Sequence, residues 1–123
     1  MNYHPRIETA EYPNFLTSRC RNSELWFVNN PALDEAILGY LAKYAAEYKV
    51  TLYAFSIEGN HLHSVAHFPE PKRASFMRDF KSTAARAVPR YTPEYPGGRV
   101  FGRRYSNEFI KGDETVEDKF FYT

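Results

Sequence analysis

A chain of 123 residues, 43% apolar and 17% aromatic, is sized for one compact domain, because two cores of half that length would each be marginal. A single Cys20 excludes an internal disulfide framework and makes a reduced cytoplasm the expected compartment, while a polar stretch from Met1 to Ala10 and the lack of any run near the roughly 18 apolar residues of a membrane span leave no signal peptide or membrane helix to expect. The net charge of +1 excludes a uniformly basic nucleic-acid binder but says nothing about local patches.

Asn14 to Cys20 and Leu25 to Asn29 are β-prone runs split by Arg21, Asn22 and Ser23, and are read together as a first strand region. Asn30 is a candidate N-cap with Pro31 at the first helical position and Asp34 and Glu35 near the positive end of the helix dipole. Leu33, Ile37, Leu41, Tyr44, Ala45 and Tyr48 follow at steps of three and four, which predicts a helix with one buried face up to about Lys49. Val50 to Ile57 and His61 to Phe68 are β-branched and aromatic, joined by Glu58, Gly59 and Asn60 as a hairpin. After Pro69 and Pro71, the spacing of Phe76, Phe80, Thr83, Ala84 and Ala87 predicts a helix from Arg73 to about Val88. Three Pro and two Gly make Pro89 to Arg99 a loop, a fourth strand is expected near Tyr105 to Ile110, and Gly112 and Asp113 open a last helix holding Tyr122. The order predicts an α+β, ferredoxin-like split βαβ sandwich: an antiparallel sheet, two helices on one face, and a C-terminal helix.

Charge is segregated along this order. Pro71 to Arg104 carries nine Lys or Arg against two acids, whereas Met1 to Glu70 and Tyr105 to Thr123 each sum to −3. Arg78, Lys81, Arg86 and Arg90 fall on the arc opposite the apolar stripe of the second helix, so they are expected at the surface, where they suit phosphates as well as water. His61, His63 and His67 lie at even spacing on one predicted strand and so share a face. Two imidazoles at i and i+2 suit one metal ion, with Leu62 anchoring the strand from the other side; hydrogen-bonded structural histidines are the competing reading.

The run Glu58-Gly59-Asn60-His61-Leu62-His63-Ser64-Val65 on a hairpin, then a helix carrying Phe80-Lys81-Ser82, resembles the REP-associated tyrosine transposases of the HUH superfamily. Val100-Phe101-Gly102-Arg103-Arg104-Tyr105 and Asp113 to Tyr122 extend the resemblance from about Tyr12 to the end. It implies cleavage and strand transfer of single-stranded, hairpin-flanked DNA through a 5′-phosphotyrosine. His61 and His63 match the metal pair and Tyr122 the nucleophile, with Mg²⁺ or Mn²⁺ as the implied metal. Arg73, Arg78, Lys81, Arg86, Arg103, Arg104 and Tyr105 are candidates to hold DNA, Tyr105 by stacking on a base. Members usually add a third polar ligand about one helical turn beyond the tyrosine; this sequence ends at Thr123, so truncation of the domain is expected, or replacement of that ligand by Glu58 or Asn60. The chief rival is a hairpin DNA-binding module without cleavage; a metal hydrolase of a small substrate is a third reading, with no distinctive acid or base behind it. Monomer and homodimer both remain open.

Overall fold

The computed structural model describes residues 10, 12–102 and 104–110; the expected helix of Asp113 to Tyr122 lies outside them. Four strands, β1 (Asn14–Arg19), β2 (Thr51–Ile57), β3 (His61–His67) and β4 (Ser106–Phe109), alternate with two helices, α1 (Pro31–Glu47) and α2 (Arg73–Tyr91). The sheet order is β2-β3-β1-β4, with every neighbouring pair antiparallel. This is the expected ferredoxin-like layout, in which β3 inserts between the two strands joined by α1. Among the described residues, no helix is long and apolar enough to cross a membrane.

The helices sit where their patterns direct them. Leu33, Ile37, Leu41 and Ala45 of α1 and Phe76, Met77, Phe80, Ala84, Ala87 and Val88 of α2 are buried in one cluster with Leu16, Leu62 and Ala66 of the sheet. Asn30 caps α1, its Oδ1 accepting from the Leu33 amide at 3.2 Å, while its Nδ2 donates to the Tyr91 carbonyl and the Thr92 hydroxyl, each at 3.1 Å. One side chain thereby starts α1 and ties it to the end of α2. Tyr44 and Thr83 join the helices again through their hydroxyls at 2.8 Å.

Three expectations are corrected. Leu25 to Asn29 is not strand: the β1 ladder ends where the Cys20 amide bonds the Asn60 carbonyl at 2.8 Å, and Asn22 and Ser23 then turn the chain away through left-handed φ values of 55° and 54°. The segment docks on the β2–β3 turn instead, with the Phe27 amide bonded to the Gly59 carbonyl at 3.1 Å; a Cβ on Gly59 would lie 2.8 Å from Val28 Cγ2. The second helix does not stop before Pro89 but runs through it to Tyr91, since a proline in the last turn has a helical φ and costs one hydrogen bond there, while Val88 beside it is fully buried. Arg73, expected among the DNA contacts, is corrected below together with Tyr105.

Candidate metal and nucleic-acid site

Register places the histidines. On β3, Leu62, Ser64 and Ala66 face the helices, so His61, His63 and Val65 face the other way. The β1 residues across from the two histidines are Arg19, opposite His61, and Thr17, opposite His63. Ser56 of β2 flanks His63 from the other side, and Ser106 of β4 stands beside Thr17. The four strands thus assemble a polar patch around two half-buried imidazoles on the face away from α1 and α2.

The rings are 4.3 Å apart between centroids and nearly perpendicular. Each has its Nδ1 engaged: His61 Nδ1 lies 2.6 Å from Asn60 Oδ1 and His63 Nδ1 lies 3.1 Å from the Thr17 hydroxyl. Donation from Nδ1–H to the Asn60 carbonyl oxygen fixes the tautomer that leaves Nε2 of His61 as a free lone pair; Thr17, which accepts as readily as it donates, allows the same at His63. Phe15 stacks on His63 at 5.3 Å and holds that ring from one side. Burial lowers the pKa of His61, with the Arg19 charge adding to it; burial also lowers that of His63, reinforced by His61 and Arg19, while Glu58 acts against the shift at both. Neutral imidazoles with oriented Nε2 atoms are the form in which histidine binds a metal, so the pair fits a divalent cation.

The alternatives offered for a third ligand have other partners. Asn60 uses its side-chain oxygen on His61, and the Glu58 carboxylate accepts from the Ser56 hydroxyl at 3.0 Å. Among the described residues, no third His, Cys, Asp or Glu joins the pair into a metal-ligating cluster. His67, third in the run, is tied through Nε2 to the Ala10 carbonyl at 2.8 Å.

The expected DNA contacts separate into four groups. Arg73 is 1% exposed, its Nε and Nη1 donating to the Tyr105 hydroxyl at 3.2 Å and to Asn14 Oδ1 at 3.0 Å, with its guanidinium 5.7 Å from the Phe109 ring centre. It therefore braces the first turn of α2 against β1 and β4 and does not present a charge to solvent. Tyr105, 7% exposed, is the other half of that brace and has no free ring face for a base. Arg78 and Arg86 lie exposed on the outer side of α2 and Lys81 is half-buried at its flank, and the sheet separates the helix from the histidines. Arg78 is paired with Asp79 at 3.1 Å, Arg86 donates to the Ser82 and Thr83 hydroxyls at 2.7 and 3.3 Å, and Lys81 Nζ sits 5.2 Å from the Phe101 ring centre. Arg104 is exposed and close to the histidine face, in the same groove as Arg19 and Arg21. Tyr122 and Arg103 lie outside the described residues.

Arg19 and Arg21 were not legible as site residues, because they sit in a segment of net negative charge. The strand register puts Arg19 opposite His61, and Arg21, in the 3-10 turn that follows β1, lines one groove with Arg19 and Arg104.

Two helices behind an antiparallel sheet, with an oriented imidazole pair in front, define a ferredoxin-like domain with a candidate metal site on its sheet. The family of IS200-like transposases matches residues 12–119, and the chain belongs to it. It is accordingly a transposase-class enzyme with a role in DNA transposition. Among solved structures, a REP-associated tyrosine transposase bound to a REP hairpin is similar at a TM-score of 0.74 and 14% identity, over 99% of this chain and 68% of that one. A candidate transposase from Deinococcus radiodurans gives a TM-score of 0.67 and 16% identity, over 89% of this chain and 87% of that one. At such identities the likeness speaks for the fold, and it agrees with the topology described above. No curated protein matches.

Proposed function

We propose that the chain cleaves and transfers single-stranded DNA through a 5′-phosphotyrosine at Tyr122, as a metal-dependent nuclease of hairpin-flanked DNA. The observation that carries this reading is the pair His61 and His63, which share one sheet face with both Nδ1 atoms engaged, in a member of the IS200-like transposases. His61 and His63 would hold the cation through Nε2. Bound there, Mg²⁺ or Mn²⁺ supplies positive charge beside the non-bridging oxygens and offsets the charge that builds up at phosphorus. Imidazole alone ranks Mn²⁺ above Mg²⁺ as a ligand preference.

The protein's own groups do the rest. Tyr122, with an intrinsic pKa near 10, gives up its phenol proton and attacks phosphorus; the O–P bond of the phosphotyrosine forms as the bond to the 3′ oxygen breaks, and that oxygen leaves as a 3′-hydroxyl after taking a proton. One ester replaces another, so the step reverses without an energy source and a second 3′-hydroxyl can take over the strand. Asn60 and Thr17 keep the imidazoles oriented through the cycle, and Arg19 adds charge at the same face. The similar transposase bound to a REP hairpin supports hairpin DNA as the partner. Arg78, Lys81 and Arg86 suit a duplex arm that passes the far layer, and Arg103 and Arg104 the strand nearer the histidines. Cys20 as the single cysteine supports a reduced cytoplasm as the compartment.

Incubating the chain with a labelled single-stranded hairpin substrate and Mn²⁺, followed by denaturing electrophoresis, tests this reading. A covalent protein–DNA adduct with wild type and none with Tyr122→Phe upholds it. DNA retained in a binding assay, with no adduct from wild type, would instead mark a binding module without cleavage.

A further inference from the structure

Two rows of side chains cross the sheet on the face of the imidazole pair. Ser56 of β2, His63 of β3, Thr17 of β1 and Ser106 of β4 form one of them. One step along, His61 has Arg19 opposite it on β1 and Glu58 opposite it on the β2 side, where the Glu58 amide bonds the His61 carbonyl at 2.8 Å. Glu58 lies two positions beyond Ser56, so alternation gives both the same face, and the Ser56 hydroxyl donates to Glu58 Oε1 at 3.0 Å. His61 therefore stands between a carboxylate and a guanidinium.

Those two charges oppose one another at the histidines. Beyond the burial that lowers both imidazole pKa values, Arg19 pushes them further down and Glu58 pushes them back. Whatever disfavours a proton on the rings also disfavours a divalent cation at their Nε2 atoms, which carries twice the charge. Among the described residues, Glu58 is the one carboxylate whose charge acts on the two rings, so the task of offsetting Arg19 falls to it.

Geometry decides how it acts. Among the described residues no third His, Cys, Asp or Glu joins the two histidines within ligating reach, so the carboxylate is not a direct ligand. Ser56 engages Oε1, and among the described residues Glu58 forms no ion pair, which leaves Oε2 open as an acceptor. Two imidazoles fill only part of the shell of a hard divalent ion, and such ions keep several waters. An ion-bound water is a strong donor to a carboxylate, because the cation polarises its O–H bonds.

We infer that Glu58, tethered by Ser56, accepts a hydrogen bond from a water on the cation and thereby offsets Arg19 and biases the histidine pair toward a hydrated divalent ion. The inference rests on the proposed metal role of His61 and His63. It makes Glu58 a positioning residue that acts through water.

Water-proton relaxation during titration of Mn²⁺ into the full chain tests this, because the signal reads both affinity and the number of waters kept by the bound ion, with no DNA and no turnover. Glu58→Gln keeps the shape and the acceptor for Ser56 at an exposed position and removes only the charge. It is expected to bind Mn²⁺ about 10-fold more weakly, in the span usual for groups that act on a metal through its ligands, with the number of bound waters unchanged. Arg19→Gln, also exposed, should bind about 3-fold more tightly, and both differences should shrink as salt rises. A merely structural Glu58 would not give opposite signs for the two charges. Equal affinity in wild type and Glu58→Gln, with no uptake by His61→Ala/His63→Ala, overturns the role of Glu58 and leaves the metal pair standing. A gain of one bound water in Glu58→Gln would make the carboxylate a direct ligand and overturn the water-mediated position. No uptake by wild type, or uptake unaltered in the folded histidine variant, defeats the metal reading and this inference with it.

Discussion

Replacing Arg73 with methionine keeps an apolar stem of similar length and removes the guanidinium from the junction of α2, β1 and β4. Asn14 Oδ1 and the Tyr105 hydroxyl each lose a donor inside a site where Arg73 and Asn14 are both 1% exposed. Each buried polar group left unmet costs about 1–3 kcal/mol, and removal of a buried cation returns part of that by cancelling its desolvation. The net expectation for Arg73→Met is a loss of about 3 kcal/mol. With a urea m value of about 1.5 kcal/mol per M, the unfolding midpoint should fall by about 2 M at unchanged m. The triple variant Arg73→Met/Asn14→Leu/Tyr105→Phe removes the whole polar set and should recover more than half of the loss. Urea unfolding followed by far-UV circular dichroism measures both. A midpoint within experimental scatter of wild type, together with weaker DNA binding, would refute the brace and return Arg73 to the DNA-contacting surface that its charge first suggested.

Three further outcomes follow from single contacts. Asn60→Ala and Thr17→Val each free one imidazole Nδ1, and each should lower Mn²⁺ affinity about 10- to 100-fold in calorimetric titration; unchanged affinity would show that these bonds do not orient the rings. Burial pushes the Cys20 thiol up to about 11 from 9.0, so it should resist a thiol-specific disulfide reagent at pH 8 in the native protein and react on unfolding. Because its folded pKa is raised, the stability it contributes is complete below pH 9.0 and lost as pH climbs to about 11. That loss is on the order of 3 kcal/mol, read as the difference in pH dependence between wild type and Cys20→Ala; identical slopes for the two would contradict it. Gly102→Ala drives a Cβ against Arg21 Cα, a backbone atom that cannot swing aside, and should lower Tm by about 5 °C or more in a thermal melt; an unchanged Tm would show that the two backbones can part without cost.

What could be read from the chain divides along physical lines. Period-two alternation on β3 announced that His61 and His63 share a face, and steps of three and four announced the buried stripes of α1 and α2, because both signals are local and repeat. Asn30 and Pro31 marked a helix start for the same reason. Long-range register carries no such local trace. Arg73 and Tyr105 looked like surface chemistry until Asn14, 59 residues before Arg73 in the chain, proved to be the partner that lets a guanidinium go inside. Leu25 to Asn29 has β-prone composition, yet two left-handed residues just upstream and the docking on Gly59 decide its path. Arg19 and Arg21 were hidden by averaging, since acidic neighbours cancel them in sequence but not in space.

The account turns on a divalent cation at Nε2 of the two histidines. Titrating Mn²⁺ into the full chain under electron paramagnetic resonance, which reads free against bound ion without any DNA or turnover, addresses that claim alone. Wild type is expected to take up one Mn²⁺ per chain and His61→Ala/His63→Ala none, at unchanged far-UV circular dichroism. Equal uptake by the folded double variant would place the metal elsewhere and contradict the account.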